Sequence, residues 1–247
     1  MAAQARRPGL LLAINQLVIP AHRRSHRGAS SLRWLVAAAL LICGLVLAQT
    51  NLDRMQSLAK SRYGQQTADM VAQWRSMIDA IKGLPEDQKL IKVNDFFNTR
   101  IRWVQDPEAW GQKDYWATPL ETMGNGKGDC EDFAIAKYAT LILAGVDVNK
   151  LRITYVKAQV GGPYSKVNAA HMVLAYYSST SADPQILDNL IGYIRPASRR
   201  EDLTPVYGFN SNGLWVGGAV APASTDPGAK LSRWRDLLQR AAAEGLG

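Results

Sequence analysis

Hydrophobic positions between Leu52 and Ile101 recur at three- and four-residue spacing, which is the repeat of an amphipathic helix. Gly83-Leu84-Pro85 interrupts this repeat, and proline is tolerated at the start of a helix rather than in its interior. The pattern predicts one helix before the break and a second over about 86–101. The next stretch, 103–128, is rich in Trp, Pro, Gly and Asp and predicts a long ordered loop.

An almost continuously apolar segment runs from Cys130 to Ala144, and Gly145 follows it. This predicts a buried helix that ends at the glycine. The repeat then changes to two, which is the period of a β-strand. Strands are predicted over 151–160, 170–178 and 186–189, with a further hairpin over 207–209 and 214–216. Helices, a central helix and then an antiparallel sheet are typical of an α+β domain.

The C-terminal region, 217–247, differs in composition. Gly, Ala, Pro and Ser dominate 217–229, which predicts a linker. Residues 231–243 form a short amphipathic pattern, with Trp234 and two leucines on one side and arginines among them. This pattern fits a terminal helix that docks or frays, or one that lies on a membrane or a partner. The compact domain is therefore predicted over 50–216.

Positive charge is concentrated at the N-terminus. The chain of 247 residues has a formal net charge of +8, and its first 33 residues contain arginines but no acidic residue. The uncharged apolar stretch 34–48 follows, and it is shorter than the roughly 20 residues that span a bilayer comfortably. This layout predicts a signal peptide over 1–48 or an uncleaved N-terminal membrane anchor, and export of the rest.

Export changes what the composition implies about partners. Cleavage removes most of the net positive charge, so charge gives no support for a nucleic-acid partner, and membrane contact is limited to the N-terminal segment. The exported part has one cysteine, Cys130, and one histidine, His171. An intramolecular disulfide and a Cys/His zinc site are therefore excluded there. A single thiol in an oxidising compartment is typical of a catalytic nucleophile.

The spacing of three residues predicts a catalytic triad. Cys130 begins the predicted buried helix, where unpaired N–H groups and the helix dipole stabilise a thiolate. His171 lies near the start of one predicted strand and Asp188 near the end of the next. Antiparallel pairing of these strands brings the carboxylate beside the imidazole. Each residue taken singly also fits a structural role, but together they match a nucleophile, a base and an orienting acid.

A family resemblance covers about 84–215. It depends on the run GNGKGDCEDFAIAKYATLILAG and on the later runs HMVLAY, ILDNL and DLTPVYGFNSNGLW. These motifs resemble the bacterial transglutaminase-like cysteine proteinases, and among them the LapG-type periplasmic proteases that release biofilm adhesins. The resemblance implies a papain-like, transglutaminase-like α+β fold with Cys130 as nucleophile, His171 as base and Asp188 as orienting acid.

The same resemblance implies a substrate, a cofactor and a regulator. The substrate is a very large adhesin that is cut at a paired-alanine site near its N-terminus, and the cofactor is Ca²⁺. The periplasmic domain of a membrane cyclic-di-GMP receptor sequesters the protease. Two alternatives stay open on the same fold: acyl transfer to an amine, and a non-catalytic periplasmic adaptor, against which the intact triad residues argue.

Three acidic residues flank the predicted nucleophile: Asp129, Glu131 and Asp132. Negative charge raises the pKa of a neighbouring thiol, and a bound Ca²⁺, which prefers carboxylate oxygens, relieves this conflict. The resemblance implies that Asp129 and Glu131, and less directly Asp132, bind the metal. Without a metal, Asp129 is an N-cap residue and the other two acids favour the helix dipole.

The loop before the nucleophile carries aromatic side chains close to acids. Two interpretations fit this composition: the residues wall the substrate cleft, or they form a lid packed on the core. The residues are Trp103, Trp110, Tyr115 and Trp116, with Asp106 and Asp114.

Overall fold

The computed structural model describes residues 51–162 and 164–246. Within this part of the chain, every helix is too short or too polar to cross a membrane. The signal peptide or membrane anchor predicted over 1–48 lies outside the described residues. The helices and strands below therefore concern the segment that the sequence assigns to the exported part.

The N-terminal part is helical, as predicted. Helix α1 includes 51–63, α2 spans Gln65–Ile81 and α3 spans Glu86–Arg100. The predicted break at 83–85 is confirmed, but Gly64 adds a second break, because its φ of 88° lies in the left-handed region that favours glycine. The apolar repeat continues on both sides of Gly64, so periodicity does not reveal this division.

The segment predicted as a loop, 103–128, contains regular structure. Helix α4 spans Asp106–Ala109 and α5 spans Pro119–Asn125, and the short strands β1 (Arg102–Trp103) and β2 (Lys127–Gly128) pair in parallel. Thr118 and Glu121 form a capping box at the start of α5, a signal that the loop-like composition concealed. The β1–β2 pair brings the start of this segment beside the next helix.

Helix α6 (Cys130–Leu143) is the central helix and packs on a six-stranded sheet. The strands are β3 Leu151–Val160, β4 Val167–Tyr176, β5 Gln185–Leu187, β6 Arg195–Pro196, β7 Leu203–Phe209 and β8 Leu214–Val216. Their order is β6-β5-β4-β3-β7-β8, and each neighbouring pair is antiparallel. The predicted α+β class is confirmed, with N-terminal helices and a cysteine-bearing helix on an antiparallel sheet.

The strand bounds differ from the prediction at several ends. β4 begins at Val167 rather than at 170, because its first four residues are exposed on both faces and give no apolar period. β5 ends at Leu187, so Asp188 follows the strand instead of lying in it. β7 begins at Leu203, and the two-residue β6 was not predicted because it contains a proline. Short 3-10 helices span Val148–Lys150 and Ala197–Arg199.

The sheet buries side chains on both of its faces. The main core lies between the helices and one face, where Ile153, Leu174 and Phe209 are fully buried. Because successive strand residues point to opposite faces, Val173 and Ile186 belong to a second, smaller cluster on the other face. The sheet thus separates two environments.

The C-terminal tail packs against the core. Helix α7 (Pro227–Lys230) lies near the end of the predicted linker, and α8 spans Ser232–Ala243. Trp234 is 1% exposed, and its ring meets that of Phe209 edge-on with the centroids 5.2 Å apart. The structure therefore supports the docked helix among the alternatives for the tail, because the apolar side that would face a membrane is buried in the core.

Docking of α8 predicts a large effect of one substitution on stability. We expect Trp234→Ala to lower the free energy of unfolding by about 3–5 kcal/mol, because it leaves a cavity in the core. Urea denaturation measures this loss. The matched control is Leu238→Ala on the same helix, where the side chain is 41% exposed and the change should stay within about 0.5 kcal/mol. Equal losses in the two variants would show that the helix is not docked.

Candidate active site

Cys130 is the first residue of α6, and the turn before it is sterically tight. A Cβ at Gly128 would collide with the Asp132 carboxylate, so a larger residue would displace that buried side chain. The Gly128 carbonyl accepts a hydrogen bond from the Val104 N–H at 2.9 Å. These contacts fix the direction in which the chain enters the helix and therefore the position of the thiol.

The Cys130 thiol lines a cleft of about 490 Å³ and is surrounded by acids. It donates to Glu131 Oε2 at 3.0 Å and accepts a hydrogen bond from the backbone N–H of Met172. Burial, together with the negative charges of Glu131 and Asp129, raises the pKa of the thiol well above its ordinary value. The expectation that the helix start lowers this pKa is therefore wrong for these residues by themselves, because burial and the neighbouring carboxylates both disfavour the thiolate.

His171 and Asp188 are in direct contact, as the strand pairing predicts. His171 Nε2 lies 2.8 Å from Asp188 Oδ1, and both side chains are buried. The same oxygen accepts from the Leu190 N–H at 3.0 Å, and Oδ2 accepts from Arg200 at 2.8 Å. Burial by itself raises the pKa of Asp188, but these three hydrogen bonds hold it well below its usual range. Nδ1 is the ring nitrogen that remains for the thiol of Cys130.

The main chain of Asp188 is held from the helical layer. Asn98 on α3 and Lys137 on α6 donate to the Asp188 carbonyl at 2.8 and 3.1 Å. Lys137 is 1% exposed, and burial lowers the pKa of its ammonium to about 7. Contacts from two helices and a loop thus fix the carboxylate that orients the imidazole.

Arg200 is a site residue that sequence reasoning missed. Its side chain is buried between two carboxylates, Asp188 and Asp202, with an Nη2-to-oxygen distance of 2.8 Å to each. In the sequence it is one of two adjacent arginines, and Arg199 beside it is exposed. Nothing local distinguishes the two, so only the fold reveals which one contacts the site.

Carboxylates form two overlapping clusters beside the thiol. One joins Asp129, Cys130 and Glu131, and the other joins Asp106, Asp129 and Asp132, with potential ligand atoms within 4.8 Å of one another in each. The three predicted metal-binding acids are thus close together, with Asp129 shared by both clusters. Asp106 was predicted only as a neighbour of the cleft. The parallel β1–β2 pair carries it to Asp129, a long-range contact without a local sequence signal.

The four acids of these two clusters have no neutralising partner among the described residues. None has an ion-pair partner within residues 51–162 and 164–246. Asp106 and Asp129 each have a buried Oδ1 that finds no hydrogen-bond partner in the part of the chain that the structure describes. Burial and mutual repulsion raise the pKa of Asp129 to about 10 and that of Asp132 to about 7. Unsatisfied carboxylate oxygens of this kind fit a hard divalent cation.

Asp132 is less available to a metal than its neighbours. Its Oδ1 accepts from the Ala117 N–H at 2.8 Å, and its Oδ2 accepts from the Trp110 indole at 2.9 Å. Oδ2 also accepts from the Asp129 N–H at 3.3 Å. Its carboxylate therefore already orders the loop and the helix start.

The aromatic loop has features of both interpretations, because some of its side chains line the cleft and others are packed on the core. Trp116 is 6% exposed and stacks on Phe209 with the ring centroids 5.4 Å apart. Trp110 and Tyr115 pack on each other with centroids 5.1 Å apart, while Trp103 is 48% exposed. The members of the set that line the cleft are Trp116, Asp106 and Asp114. The loop is thus partly cleft wall and partly packed lid.

A helix-borne thiol and a strand-borne imidazole that line one cleft are typical of papain-like and transglutaminase-like cysteine enzymes. The chain matches the family model of the bacterial transglutaminase-like cysteine proteinases (BTLCP) over residues 59–202. A comparison with curated proteins found no match. The family match covers more than half of the chain, so the chain belongs to the bacterial transglutaminase-like cysteine proteinases.

Solved structures of LapG from Legionella pneumophila are similar to the chain. Three of them share 40% sequence identity with it and cover 76% of its length. The TM-scores are 0.65 for LapG, 0.66 for calcium-bound LapG and 0.66 for EGTA-treated LapG, with 96%, 98% and 96% of those chains covered. The resemblance read from the motifs is confirmed, and the chain is a LapG-like member of the family.

Proposed function

We propose that the chain is a calcium-dependent periplasmic cysteine endopeptidase with Cys130, His171 and Asp188 as its triad. The observation that carries this proposal is that the thiol and the imidazole line one cleft while Asp188 lies 2.8 Å behind the imidazole. Membership of a cysteine proteinase family supports hydrolysis as the reaction class. Localisation in the periplasm is proposed from the predicted export segment.

In the proposed reaction, the Cys130 sulfur attacks the scissile carbonyl carbon while His171 Nδ1 accepts the thiol proton. The imidazolium then gives this proton to the leaving amine, the C–N bond breaks, and a thioester remains. His171 next takes a proton from water, whose oxygen attacks the thioester carbon. The C–S bond breaks, the acid is released, and the imidazolium returns its proton to the Cys130 sulfur. Asp188 accepts from Nε2–H and so keeps Nδ1 unprotonated and available as the base.

Two further groups support the chemistry. The backbone N–H of Cys130 is the proposed oxyanion donor, because the first N–H groups of a helix have no acceptor within the helix. Arg200 donates to the second oxygen of Asp188 at 2.8 Å and so keeps this carboxylate ionised and fixed. The base is thereby positioned before substrate binds.

We propose that Asp129 and Glu131 hold the Ca²⁺, with Asp106 as a further ligand and Asp132 as the least available of the predicted acids. When bound, the ion would offset the negative charge that opposes a thiolate at Cys130. The buried Oδ1 atoms without partners at Asp106 and Asp129 support this assignment. So do the calcium-bound and EGTA-treated forms of the similar LapG.

The substrate and the regulator are proposed from the family resemblance. We propose that the chain cuts a large biofilm adhesin at a paired-alanine site near the adhesin's N-terminus and so releases it from the cell surface. The periplasmic domain of an inner-membrane cyclic-di-GMP receptor is the proposed inhibitor. A cleft of about 490 Å³ that is open to solvent is compatible with an extended polypeptide segment.

Incubation with the N-terminal region of a candidate adhesin tests the proposed function. We expect one cut at a paired-alanine site in the presence of Ca²⁺, identified by N-terminal sequencing of the fragments. Mass analysis of the new C-terminus distinguishes the reaction classes, because hydrolysis leaves a carboxylate whereas acyl transfer leaves an amide. An amide at this end in the presence of an added amine would replace the peptidase assignment with transfer.

Calcium is expected to stabilise the fold as well as to permit cleavage. At 100-fold excess over its dissociation constant, Ca²⁺ should add about 2.7 kcal/mol to the free energy of unfolding. EGTA should reverse the resulting rise in melting temperature and stop cleavage. The double substitution Asp129→Ala with Glu131→Ala should abolish both responses, as measured by thermal unfolding and an adhesin cleavage assay.

The control for calcium removes the same number of charges elsewhere. Asp95 and Glu201 are exposed acids outside the clusters, so Asp95→Ala with Glu201→Ala should keep the calcium response of the unsubstituted chain. A calcium response that survives in the Asp129/Glu131 double variant would place the metal at other residues. Full cleavage in excess EGTA would show that cleavage does not require calcium.

A further inference from the structure

A second cavity lies on the face of the sheet that the smaller cluster covers. Its volume is about 260 Å³, and it has no lining residue in common with the active-site cleft. Aliphatic side chains, among them Val156, Val173 and Ile186, form much of its wall. The described residues of its lining include two charged ones, Arg152 and Arg200, and no acid. The cavity is therefore largely apolar, with two arginines in its wall.

The two arginines differ in how their charge is balanced. Arg200 pairs with Asp188 and Asp202, as described above. Arg152 is 5% exposed, yet no carboxylate of the described ranges 51–162 and 164–246 lies within ion-pair distance of it. Its Nε is buried and has no hydrogen-bond partner among the described residues, while Nη1 donates to the Ala219 carbonyl at 3.1 Å. Arg152 is thus a buried cation whose charge no described side chain neutralises.

Two aromatic rings hold the Arg152 guanidinium in place. Its Cζ lies 4.3 Å from the ring centroid of Tyr177 and 4.2 Å from that of Trp215. Cation–π contacts offset part of the cost of burial, but they leave the charge in place. Burial lowers the pKa of Arg152, but a guanidinium stays protonated in proteins. The two rings therefore hold the positively charged guanidinium of Arg152 in the wall of the cavity.

We propose that this cavity binds a carboxylate attached to a short apolar group, with the carboxylate at Arg152 and the apolar group against Val156, Val173 and Ile186. Arginine suits a carboxylate because its planar N–H groups match the two oxygens. A volume of about 260 Å³ is below that of pockets for drug-sized ligands, so it accommodates one side chain or a short aliphatic chain. The ligand is either a free short-chain acid or the C-terminal residue of a polypeptide.

Calorimetric titration of the full chain with hexanoate and with 1-hexanol tests the proposal. We expect one hexanoate per chain, and at least about tenfold weaker binding of the uncharged alcohol. Arg152→Met keeps a long side chain between the two rings but removes the charge. This variant should weaken hexanoate binding by about tenfold or more and leave hexanol binding unchanged.

Two further variants separate the effect of the Arg152 charge from the effects of removing an arginine elsewhere and of filling the cavity. Arg195 also lies over a tyrosine ring, 4.4 Å from the Tyr193 centroid, but it does not line the cavity, so Arg195→Met should bind hexanoate like the unsubstituted chain. Ala175→Leu adds volume to the cavity wall and leaves Arg152 intact, so it should weaken hexanoate and hexanol together. Thermal unfolding checks that each variant is folded.

A second pair of probes distinguishes the two sources of the ligand. N-acetyl-Ala-Val with a free carboxylate is compared with the same dipeptide as its amide. Tighter binding of the free acid than of hexanoate would identify a polypeptide C-terminus as the ligand, and the reverse order would identify a small acid. The proposal is wrong if neither hexanoate nor the free-acid dipeptide binds. It is also wrong if folded Arg152→Met binds hexanoate as tightly as the unsubstituted chain.

Discussion

Cys130→Ala is expected to reduce adhesin cleavage by about 10⁴-fold or more, because without the sulfur there is no thioester route to the products. The stability of the chain should change little. Burial and the neighbouring acids raise the pKa of the Cys130 thiol, so the group is neutral near pH 7 without calcium and its removal deletes no charge. A cleavage time course and a thermal unfolding curve measure the two expectations.

In the uncleaved 247-residue chain, Cys43→Ala is the matched control, because Cys43 is the other cysteine of the sequence. It should cleave at the rate of the unsubstituted protein, and iodoacetamide should still inactivate it. The Cys130→Ala variant should bind the adhesin segment without cutting it, which fluorescence anisotropy of a labelled segment can detect. Release of adhesin by Cys130→Ala at an undiminished rate would show that another residue is the nucleophile.

The residues of the proposed triad could be predicted from the sequence because each lies in or next to an element with a clear local pattern. The apolar run after Cys130 marks a buried helix, and the period-two segments around His171 and before Asp188 mark neighbouring strands. Strands joined by a short connection usually pair, so His171 and Asp188 were expected to be close. The distance of 2.8 Å between their side chains agrees with this expectation.

Asp106 and Arg200 could not be found in this way, because each reaches the site through contacts between distant segments. The parallel pairing of Trp103 with Gly128 brings Asp106 to Asp129, and two-residue strands leave no periodic signal. Arg200 follows a single 3-10 turn, and its burial depends on Asp188, twelve residues earlier. Local propensity determines which elements form, whereas tertiary packing determines which of their polar residues meet.

The acids around Cys130 affect both the stability of the fold and the ionisation of the thiol. The pKa values of Asp129 and Asp132 are raised at the start of the helix that carries the proposed nucleophile. Carboxylates that are hard to ionise in the folded chain make the folded state less favourable as the pH rises, unless a cation neutralises them. Under the proposed function, calcium binding would therefore favour the folded helix start and the thiolate together.

Asp188→Asn is expected to lower kcat for adhesin cleavage by about 10⁴-fold. An asparagine amide can donate to His171 Nε2, which would place the ring proton on Nδ1. The imidazole could then no longer accept the thiol proton of Cys130. Tautomer-sensitive ¹⁵N NMR of His171, in a chain with His22→Gln and His26→Gln so that it is the only histidine, reports the change independently of activity.

Asp202→Asn is the matched control for Asp188→Asn, because it removes the other carboxylate that pairs with Arg200 and does not contact His171. It should keep the tautomer and lower kcat by less than about tenfold. The pH dependence of stability separates the variants further. The pKa of Asp188 is depressed in the folded chain, so its ionised form contributes stability above the unfolded value of about 3.9, and this contribution is lost as the pH falls below it. The stability difference between the unsubstituted chain and Asp188→Asn should therefore shrink below about pH 4, and a difference that stays constant down to pH 3 would contradict the ion pair.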